Sequence, residues 1–215
     1  MMMTQILLPE QMHRALETVC DTIEREKEYL SELDGAIGDG DHGVNMAKCF
    51  REVKKKLPHC QGKDFEGILK DVGMVVLNSV GGAMGALYGT FFLKLAQASP
   101  GKKTLHLHDL VEMFQAAEQG ILDIGKAKVG DKTLIDTLSP AVRSLEDSNA
   151  KDRSLSEALT AFEDAAKKGM ASTKDMIAKM GRASRMGERT IGHQDAGATS
   201  CYLILSAMVS GLRDT

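Results

Sequence analysis

The chain reads Leu33-Asp34-Gly35-Ala36-Ile37-Gly38-Asp39-Gly40-Asp41-His42-Gly43 over residues 33–43. Three carboxylates in so short a stretch repel one another, and each of its glycines costs conformational entropy on folding. A divalent cation bound by Asp34, Asp39 and Asp41 would remove this repulsion, and carboxylate oxygens are ligands that Mg²⁺ prefers. The residues therefore predict a site for one or two magnesium ions with phosphate. The alternative is a solvated acidic turn in which Asp39 or Asp41 only caps the next helix.

The spacing of the glycines and aspartates in this stretch resembles two known loop patterns. Residues 38–43 match the G-x-G-x-x-G pattern of dinucleotide-binding folds, which requires a preceding strand and a following helix. Apolar residues at helical spacing instead follow Pro9 as far as Gly35, which predicts a helix before the glycines. Counted from Asp39, the twelfth position is Phe50, where a calcium-binding EF-hand loop needs a bidentate glutamate. The pattern therefore favours neither a dinucleotide-binding fold nor an EF-hand.

Helical periodicity continues along the rest of the chain. After the first helix, the apolar spacing predicts helices at about 44–57, 64–76, 83–98, 107–121, 134–145, 154–181 and 198–212. No segment alternates like a strand, and the aromatic content is only 4%. We therefore expect an all-α protein of about eight helices in one domain, residues 1–215. In an antiparallel up-and-down arrangement, the connections after the first, third, fifth and seventh helices lie at the same end.

The composition disfavours several classes of protein. The formal net charge of -3 and the pI near 6.1 provide no broad basic surface for nucleic acid. The most apolar stretch, residues 81–98, is shorter than a membrane span and contains Lys94. Residues 1–8 lack the charged segment of a signal peptide, and the four cysteines without C-x-x-C spacing are typical of reduced thiols. We expect a soluble cytoplasmic protein with no nucleic-acid or membrane partner.

A glycine pair precedes the fourth predicted helix. Gly81 and Gly82 stand where free backbone N–H groups and the helix dipole favour an anion. The chain contains no G-x-x-x-x-G-K-[ST] motif, so nucleotide binding would not follow the P-loop pattern. The alternative is that Gly82, Gly85 and Gly89 pack closely against a neighbouring helix.

Two later connections also contain residues suited to phosphate. Before the sixth helix, Asp131 is predicted to be the helix cap and Thr133 a ligand contact. The loop at 181–197 holds three arginines among small residues. Arginines stabilise negative charge on phosphate, and the glycines would let this loop move as a lid. The alternative for this loop is a solvent-exposed connector.

The residues of these connections resemble the L subunit, the ADP- and ATP-binding domain, of dihydroxyacetone kinases. The resemblance covers nearly the whole chain and is carried by residues 33–34, 39–46, 79–82, 125–127, 130–133, 181–184, 187–189 and 192–195. It implies an eight-helix antiparallel barrel that holds a magnesium nucleotide at one mouth. It also implies that Asp34, Asp39 and Asp41 are the ligands of paired magnesium ions.

The resemblance implies a set of ADP or ATP contacts, to which the connection before the sixth helix adds Thr133. They are His42, Gly43, Val44, Asn45, Ala83, Met84, Gly125, Thr133, Leu134, Arg182, Asp195, Ala196 and Gly197. Arg182 is also the candidate catalytic residue, because an arginine can stabilise charge on a transferred phosphoryl group. Two positions depart from the family pattern: Met84 replaces a common serine, and Ala196 replaces a frequent proline. At Met84 only the backbone N–H remains to contact phosphate.

The resemblance also implies partners. In the family, a separate K subunit holds dihydroxyacetone covalently on a histidine, and the L subunit delivers the γ-phosphate. The donor is either exchangeable ATP, or bound ADP that a phosphoprotein of the sugar phosphotransferase system rephosphorylates in place. A chain without a fused K domain slightly favours the second route, and association with a second copy of the chain stays open. The alternative function is a non-catalytic magnesium-ADP sensor that docks on a transcription regulator.

Overall fold

The structure is a computed structural model that describes residues 6–213. This part of the chain is helical, apart from connections and one isolated antiparallel bridge between Leu7 and Leu105. The α-helices are α1 Pro9–Arg25, α2 Lys27–Ile37, α3 His42–Lys56, α4 Phe65–Ser79, α5 Gly82–Gln97, α6 Leu107–Gly125, α7 Leu134–Ala150, α8 Leu155–Ser172 and α9 Ala196–Arg213. Short 3-10 helices span Leu57–Cys60, Thr173–Asp175 and Ala183–Thr190. The predicted all-α class is confirmed.

The helices form a closed ring. In chain order α1 packs on α3, each helix from α3 to α8 packs on the next, and α9 packs on both α8 and α1. Since α2 continues α1 and lies against α3 and α9, the ring has the eight members that the family resemblance implies. The ring closes tightly, because a Cβ atom at Gly211 of α9 would lie 2.4 Å from Cα of Ala15 in α1. Beside this contact, Gln11 Nε2 donates a hydrogen bond to the carbonyl of Leu212 at 3.0 Å.

A row of aromatic rings fills the ring of helices. Phe50 of α3 contacts Phe92 of α5, whose neighbour Phe91 contacts Phe114 of α6, and Phe114 contacts Phe162 of α8. The centroid distances along this row run from 4.8 to 6.4 Å, within the range of favourable aromatic pairs. The interior is therefore a packed core, and any ligand site must lie at an end of the ring.

The first predicted helix is broken in the structure. The predicted helix from Pro9 to Gly35 is divided at Glu26, whose backbone leaves helical geometry with φ -91° and ψ 10°. Between Ile23 and Leu30 no side chain is buried, so no core contact fixes the direction of the helix axis there. The break turns α2 onto α3 and α9 and brings Asp34, in its last turns, to the loop before α3.

Three other boundaries differ from the sequence-based expectation. The helix predicted to reach Gly181, with a break near Gly169 as the alternative, ends at Ser172, and the chain then wraps around the side chain of Lys132. The predicted cap at Asp131 is also wrong, because Thr133 is the N-cap of α7 and its hydroxyl accepts from Ile135 N–H at 3.2 Å. The last helix begins at Ala196, two residues earlier than expected.

The ring places the four unusual connections at one end. These are the α2–α3, α4–α5, α6–α7 and α8–α9 connections, as the alternation of antiparallel helices predicts. Among the described residues, no helix is both long enough and apolar enough to span a membrane.

Candidate functional site

An acidic cluster lies at the α2–α3 connection. Asp34 belongs to α2, Asp39 lies in the connection, and Asp41 immediately precedes α3. One carboxylate oxygen from each of the three lies within 4.8 Å of the other two. Asp34 is further fixed by its Oδ2 atom, which accepts from the backbone N–H of His42 at 3.2 Å. The three predicted metal ligands are thus close enough together to share a divalent cation.

The α8–α9 connection reaches across to this cluster. Arg182 directs its Nη1 atom to Oδ2 of Asp39, and the same Nη1 lies 3.7 Å from Oδ2 of Asp41. The guanidinium and the two carboxylates are exposed, so exchange of these partners for a ligand costs little stability. The candidate catalytic arginine and the candidate metal ligands therefore lie at one place, although they are far apart in the sequence.

A cavity of about 440 Å³ opens next to the acidic cluster. The predicted contact residues that line it are His42, Ala83, Met84, Gly125, Thr133, Leu134, Asp195 and Gly197. Its apolar walls come mostly from residues that the sequence did not single out, including Leu87, Ile121, Ile124 and Met180. The cavity thus combines contributions from all four connections with an apolar pocket of the size that small-molecule sites have.

Five predicted contact residues do not line this cavity: Gly43, Val44, Asn45, Arg182 and Ala196. Gly43 has a packing role, because a Cβ atom there would lie 2.0 Å from the carbonyl oxygen of Lys27 in α2. Val44 is exposed beside it, Asn45 is partly buried, and Ala196 is buried at the start of α9. Arg182 instead contacts the acidic cluster at the edge of the cavity.

The glycines around α5 have two different roles. A Cβ atom would lie 1.9 Å from the Val80 carbonyl oxygen at Gly85, and 2.9 Å from Leu77 Cβ at Gly89, so both glycines are needed for close packing. At Gly81 and Gly82 a Cβ atom would meet nothing within 4 Å. Close helix packing therefore explains Gly85 and Gly89. Gly81 and Gly82 instead leave open backbone at the start of α5.

These glycines give a matched pair of substitutions. We expect Gly43→Ala to lower the free energy of unfolding by about 1–3 kcal/mol, because the new methyl group overlaps the backbone of α2. Gly81→Ala, at φ -77° and in open space, is expected to change it by less than about 0.5 kcal/mol. Denaturant unfolding of both variants measures the difference. Equal stability of the two variants would contradict a packing role for Gly43.

A buried hydrogen-bond network joins His42 to the start of α9. Nε2 of His42 lies 2.8 Å from the Ser200 hydroxyl oxygen, which lies 2.7 Å from the hydroxyl of Tyr88. Tyr88 also donates to the carbonyl of Gly197 at 3.2 Å. Burial lowers the pKa of His42, so its ring is neutral near pH 7 and can donate or accept a single hydrogen bond at each nitrogen.

Asp195 lies just before α9 and faces the same cavity. Its Oδ2 atom accepts from the backbone N–H of Ala198 at 2.7 Å, as a helix cap does. Burial raises the pKa of this carboxyl group to about 6, although the Ala198 hydrogen bond and the positive charge of Lys132 oppose the shift. The position is thus shaped for a carboxyl group that is partly protonated in mildly acidic solution.

Asp195 should impose a distinct pH dependence on stability. Its pKa in the folded chain is above its ordinary value of 3.8, so between about pH 4 and 6 the folded state binds more protons than the unfolded state. Stability from this group is therefore present below pH 4 and is lost as the pH rises through 6, by an amount on the order of 1–3 kcal/mol. In Asp195→Asn, whose side chain can still cap α9, this part of the pH profile should be absent from denaturant unfolding. Parallel profiles for both proteins would contradict the raised pKa.

The structure gives Lys132 a position that the sequence analysis did not predict. Lys132 lines the cavity, yet only 1% of its surface is exposed. Its Nζ atom donates to the carbonyl oxygens of Thr173, Met176, Thr190 and His193. Lys132 belongs to the stretch 130–133 that carries the family resemblance, but that stretch does not reveal its partners, which lie more than forty positions further along the chain.

Comparisons with known proteins find close relatives. Residues 36–210 match the DAK2 domain family. The chain is 44% identical over 194 residues to the "PEP-dependent dihydroxyacetone kinase, ADP-binding subunit DhaL" of Escherichia coli (strain K12), covering 90% of this chain and 92% of that protein. It is 39% identical over 184 residues to the "PTS-dependent dihydroxyacetone kinase, ADP-binding subunit DhaL" of Lactococcus lactis, covering 85% of this chain and 88% of that protein.

A solved structure shares the fold. The dihydroxyacetone kinase of C. freundii, determined in complex with AMP-PNP and Mg²⁺, superimposes with a TM-score of 0.72 at 24% identity. The superposition covers 97% of this chain but only 35% of the longer kinase. The ring of helices thus also exists as one part of a longer polypeptide.

Proposed function

The chain belongs to the DAK2 domain family, and from this premise we propose that it is the nucleotide-binding subunit of a dihydroxyacetone-type kinase. It would bind magnesium ADP or ATP and pass a phosphoryl group to a small ketose held on a separate subunit. One observation carries the proposal: three carboxylates at the α2–α3 connection and an arginine of the α8–α9 connection meet at the edge of one cavity. The four connections that form the acidic cluster and the cavity are those with the residues of the family resemblance.

The acidic cluster fits magnesium. Asp34, Asp39 and Asp41 offer hard oxygen ligands within 4.8 Å of one another, and the exposure of Asp39 and Asp41 leaves room for water and phosphate oxygens. We propose that these three residues hold two ions, as the family resemblance implies. Bound magnesium would neutralise charge on the nucleotide phosphates and orient them.

The cavity suits the rest of a nucleotide. Leu87, Ile121 and Ile124 form an apolar wall against which a flat base can pack, and the open backbone at Gly81 and Gly82 lies at the start of α5. N–H groups at a helix start are favourable for phosphate. Met84 packs against the hydrophobic core and adds to the apolar wall. We therefore propose that the loss of the common serine there removes one hydrogen bond without blocking the site.

Arg182 is suited to the chemical step. Its guanidinium lies among the carboxylates that would hold the metal, so it can donate to phosphoryl oxygens bound there. Phosphoryl transfer gains most from groups placed to stabilise charge in the transition state. We propose that Arg182 exchanges its bonds to Asp39 and Asp41 for bonds to the transferred phosphoryl group.

The surface around the cavity fits a protein partner. Several large apolar side chains are exposed in the converging connections and the helix turns next to them: Val44, Ile124, Val129, Ile177, Met180 and Ile191. Exposed apolar side chains clustered at one place are typical of an interaction surface. We propose that the K-type subunit docks here and brings its bound ketose to the phosphoryl group.

A reconstituted transfer reaction tests the proposal. The mixture contains the purified chain, a K-type subunit, dihydroxyacetone and magnesium. One version adds ATP. The other adds a small amount of ADP together with phosphoenolpyruvate and the carrier proteins of the sugar phosphotransferase system. We expect product in at least one mixture, and the productive mixture identifies the donor. Tight magnesium-dependent ADP binding without product in either mixture would favour a nucleotide sensor, and binding of ADP without magnesium would contradict the proposed site.

A further inference from the structure

Lys132 occupies an unusual position in the α6–α7 connection. Its backbone is in the left-handed region at φ 60°, a conformation that favours glycine over residues with side chains. The conformation turns the side chain inward, and only 1% of the residue is exposed. A buried lysine that is not paired with a carboxylate is costly, because burial disfavours the charged form. The structure must therefore supply other partners for its charge.

The partners of Lys132 are carbonyl oxygens. Nζ lies 2.7 Å from the carbonyl oxygen of Thr173, 3.1 Å from that of Met176, 2.7 Å from that of Thr190 and 2.5 Å from that of His193. An ammonium group has only three N–H donors, so these oxygens surround the charge more closely than hydrogen bonding alone requires. A cage of backbone carbonyls is the environment that proteins build for a monovalent cation.

This cage closes the base of the segment 173–193. Two of its oxygens come from the beginning of the segment and two from its end, and Arg182 lies between them. Two further bonds join the same ends: Gly192 N–H donates to the carbonyl of Lys174 at 2.7 Å, and Ala178 N–H donates to the Thr190 hydroxyl at 3.0 Å. The segment is thus a loop whose base is held around one buried positive charge.

We infer that Lys132 is a built-in monovalent cation that holds the segment 173–193 in the shape which places Arg182 at the acidic cluster. Lys132 contacts neither the cluster nor Arg182, so it is a positioning residue rather than a catalytic one. The inference rests on the proposed function insofar as Arg182 is the group that is positioned. The neighbouring carboxylates of Asp195 and Asp175 favour the charged state of Lys132, although burial lowers its pKa.

The first test separates positioning from general stability. With the full chain and its K-type partner, Lys132→Met is expected to lower kcat about 100-fold, with the affinity for magnesium ADP changed less than about 10-fold. When Lys132→Met is added to Arg182→Met, kcat should fall almost no further, because the positioned group is already gone. Additive losses in the double variant, or an unchanged kcat in Lys132→Met, would overturn the inference. Lys174→Met, at an exposed lysine of the same segment, is the matched control.

The second test replaces the side chain by a free ion. Lys132→Gly suits the left-handed backbone and leaves the carbonyl cage open, and n-butylammonium supplies the same carbon chain and charge as the deleted side chain. We expect n-butylammonium to restore kcat at least 10-fold, whereas tetramethylammonium, which has no N–H donor, should not. Equal effects of the two ions, or no rescue in the folded variant, would overturn the inference. Where Lys132→Met does not fold, Lys132→Gly, measured with and without n-butylammonium, replaces it in the double-variant comparison with Arg182→Met.

A third measurement is independent of the reaction. Hydrogen exchange at the amides of Ala178 and Gly192 should speed up in Lys132→Gly, slow again with n-butylammonium, and stay unchanged in Lys174→Met. Unchanged exchange in Lys132→Gly would overturn the inference that Lys132 holds the segment 173–193, even if the variant were active. If the wild-type chain transferred no phosphoryl group, the proposed function would fail, whereas the exchange experiment would still decide the role of Lys132.

Discussion

Asp39→Asn is expected to remove magnesium-dependent ADP binding. The substitution keeps the size of the side chain but removes a negative charge from the centre of the acidic cluster, whose ligand atoms lie within 4.8 Å of one another. Loss of a group that merely supports a metal ligand typically costs 10–100-fold in affinity, so loss of a ligand should cost at least about 100-fold. Isothermal titration of ADP, with and without Mg²⁺, measures the effect directly.

The control for this substitution is Asp164→Asn on the exposed face of α8, which should bind magnesium ADP like the wild type. The fold should not suffer in Asp39→Asn, because repulsion with Asp34 and Asp41 is relieved while an exposed ion pair with Arg182 is lost. Thermal unfolding without ligand should therefore differ little between the two variants. Wild-type affinity in Asp39→Asn would rule out the acidic cluster as the metal site.

Arg182→Met should lower kcat for phosphoryl transfer by about 10³–10⁵-fold, the range found for an arginine that stabilises a transferring phosphoryl group. The affinity for magnesium ADP should fall by less than about 10-fold, because ADP lacks the transferred group. Arg182→Lys should retain part of the activity, since it keeps the charge but loses the paired donors of the guanidinium. Steady-state kinetics with the reconstituted partner, together with ADP titration, separates the two effects.

Arg185 provides the comparison, because it lies on the 3-10 helix that Arg182 immediately precedes and its side chain is exposed. Arg185→Met should keep kcat within a few-fold of the wild type. If Arg182→Met lost binding and turnover in equal proportion, Arg182 would serve ground-state binding rather than the transition state. If kcat were unchanged, its place at the acidic cluster would have no catalytic meaning.

Much of the fold was predictable because helical periodicity is a local property. The apolar spacing of each segment indicates a helix without knowledge of its neighbours, and antiparallel order then brings alternate connections to one end. The acidic cluster was predictable for a similar reason, since Asp34, Asp39 and Asp41 are close in the sequence as well as in space. The resemblance supplied the closure of the ring, which the spacing does not determine.

The features that could not be predicted depend on distant contacts. The sequence offers a break near Gly169, but the end of α8 at Ser172 depends on carbonyls that turn towards Lys132, a contact that the stretch 130–133 does not reveal. The break at Glu26 reflects how α2 must pack on α3 and α9. Gly43 was expected to contact the nucleotide, but its close approach to Lys27 becomes visible only when the two helices are placed side by side.

The pairing of α1 with α9 has a topological consequence. Because Gln11 bonds the carbonyl of Leu212 at 3.0 Å, the start of the first helix and the end of the last lie side by side, at the end of the ring remote from the acidic cluster. Another polypeptide fused at either place would leave the mouth of the cavity accessible. A circularly permuted chain, joined across these two points by a short linker and opened at an exposed turn such as Asp152, should likewise retain its nucleotide site.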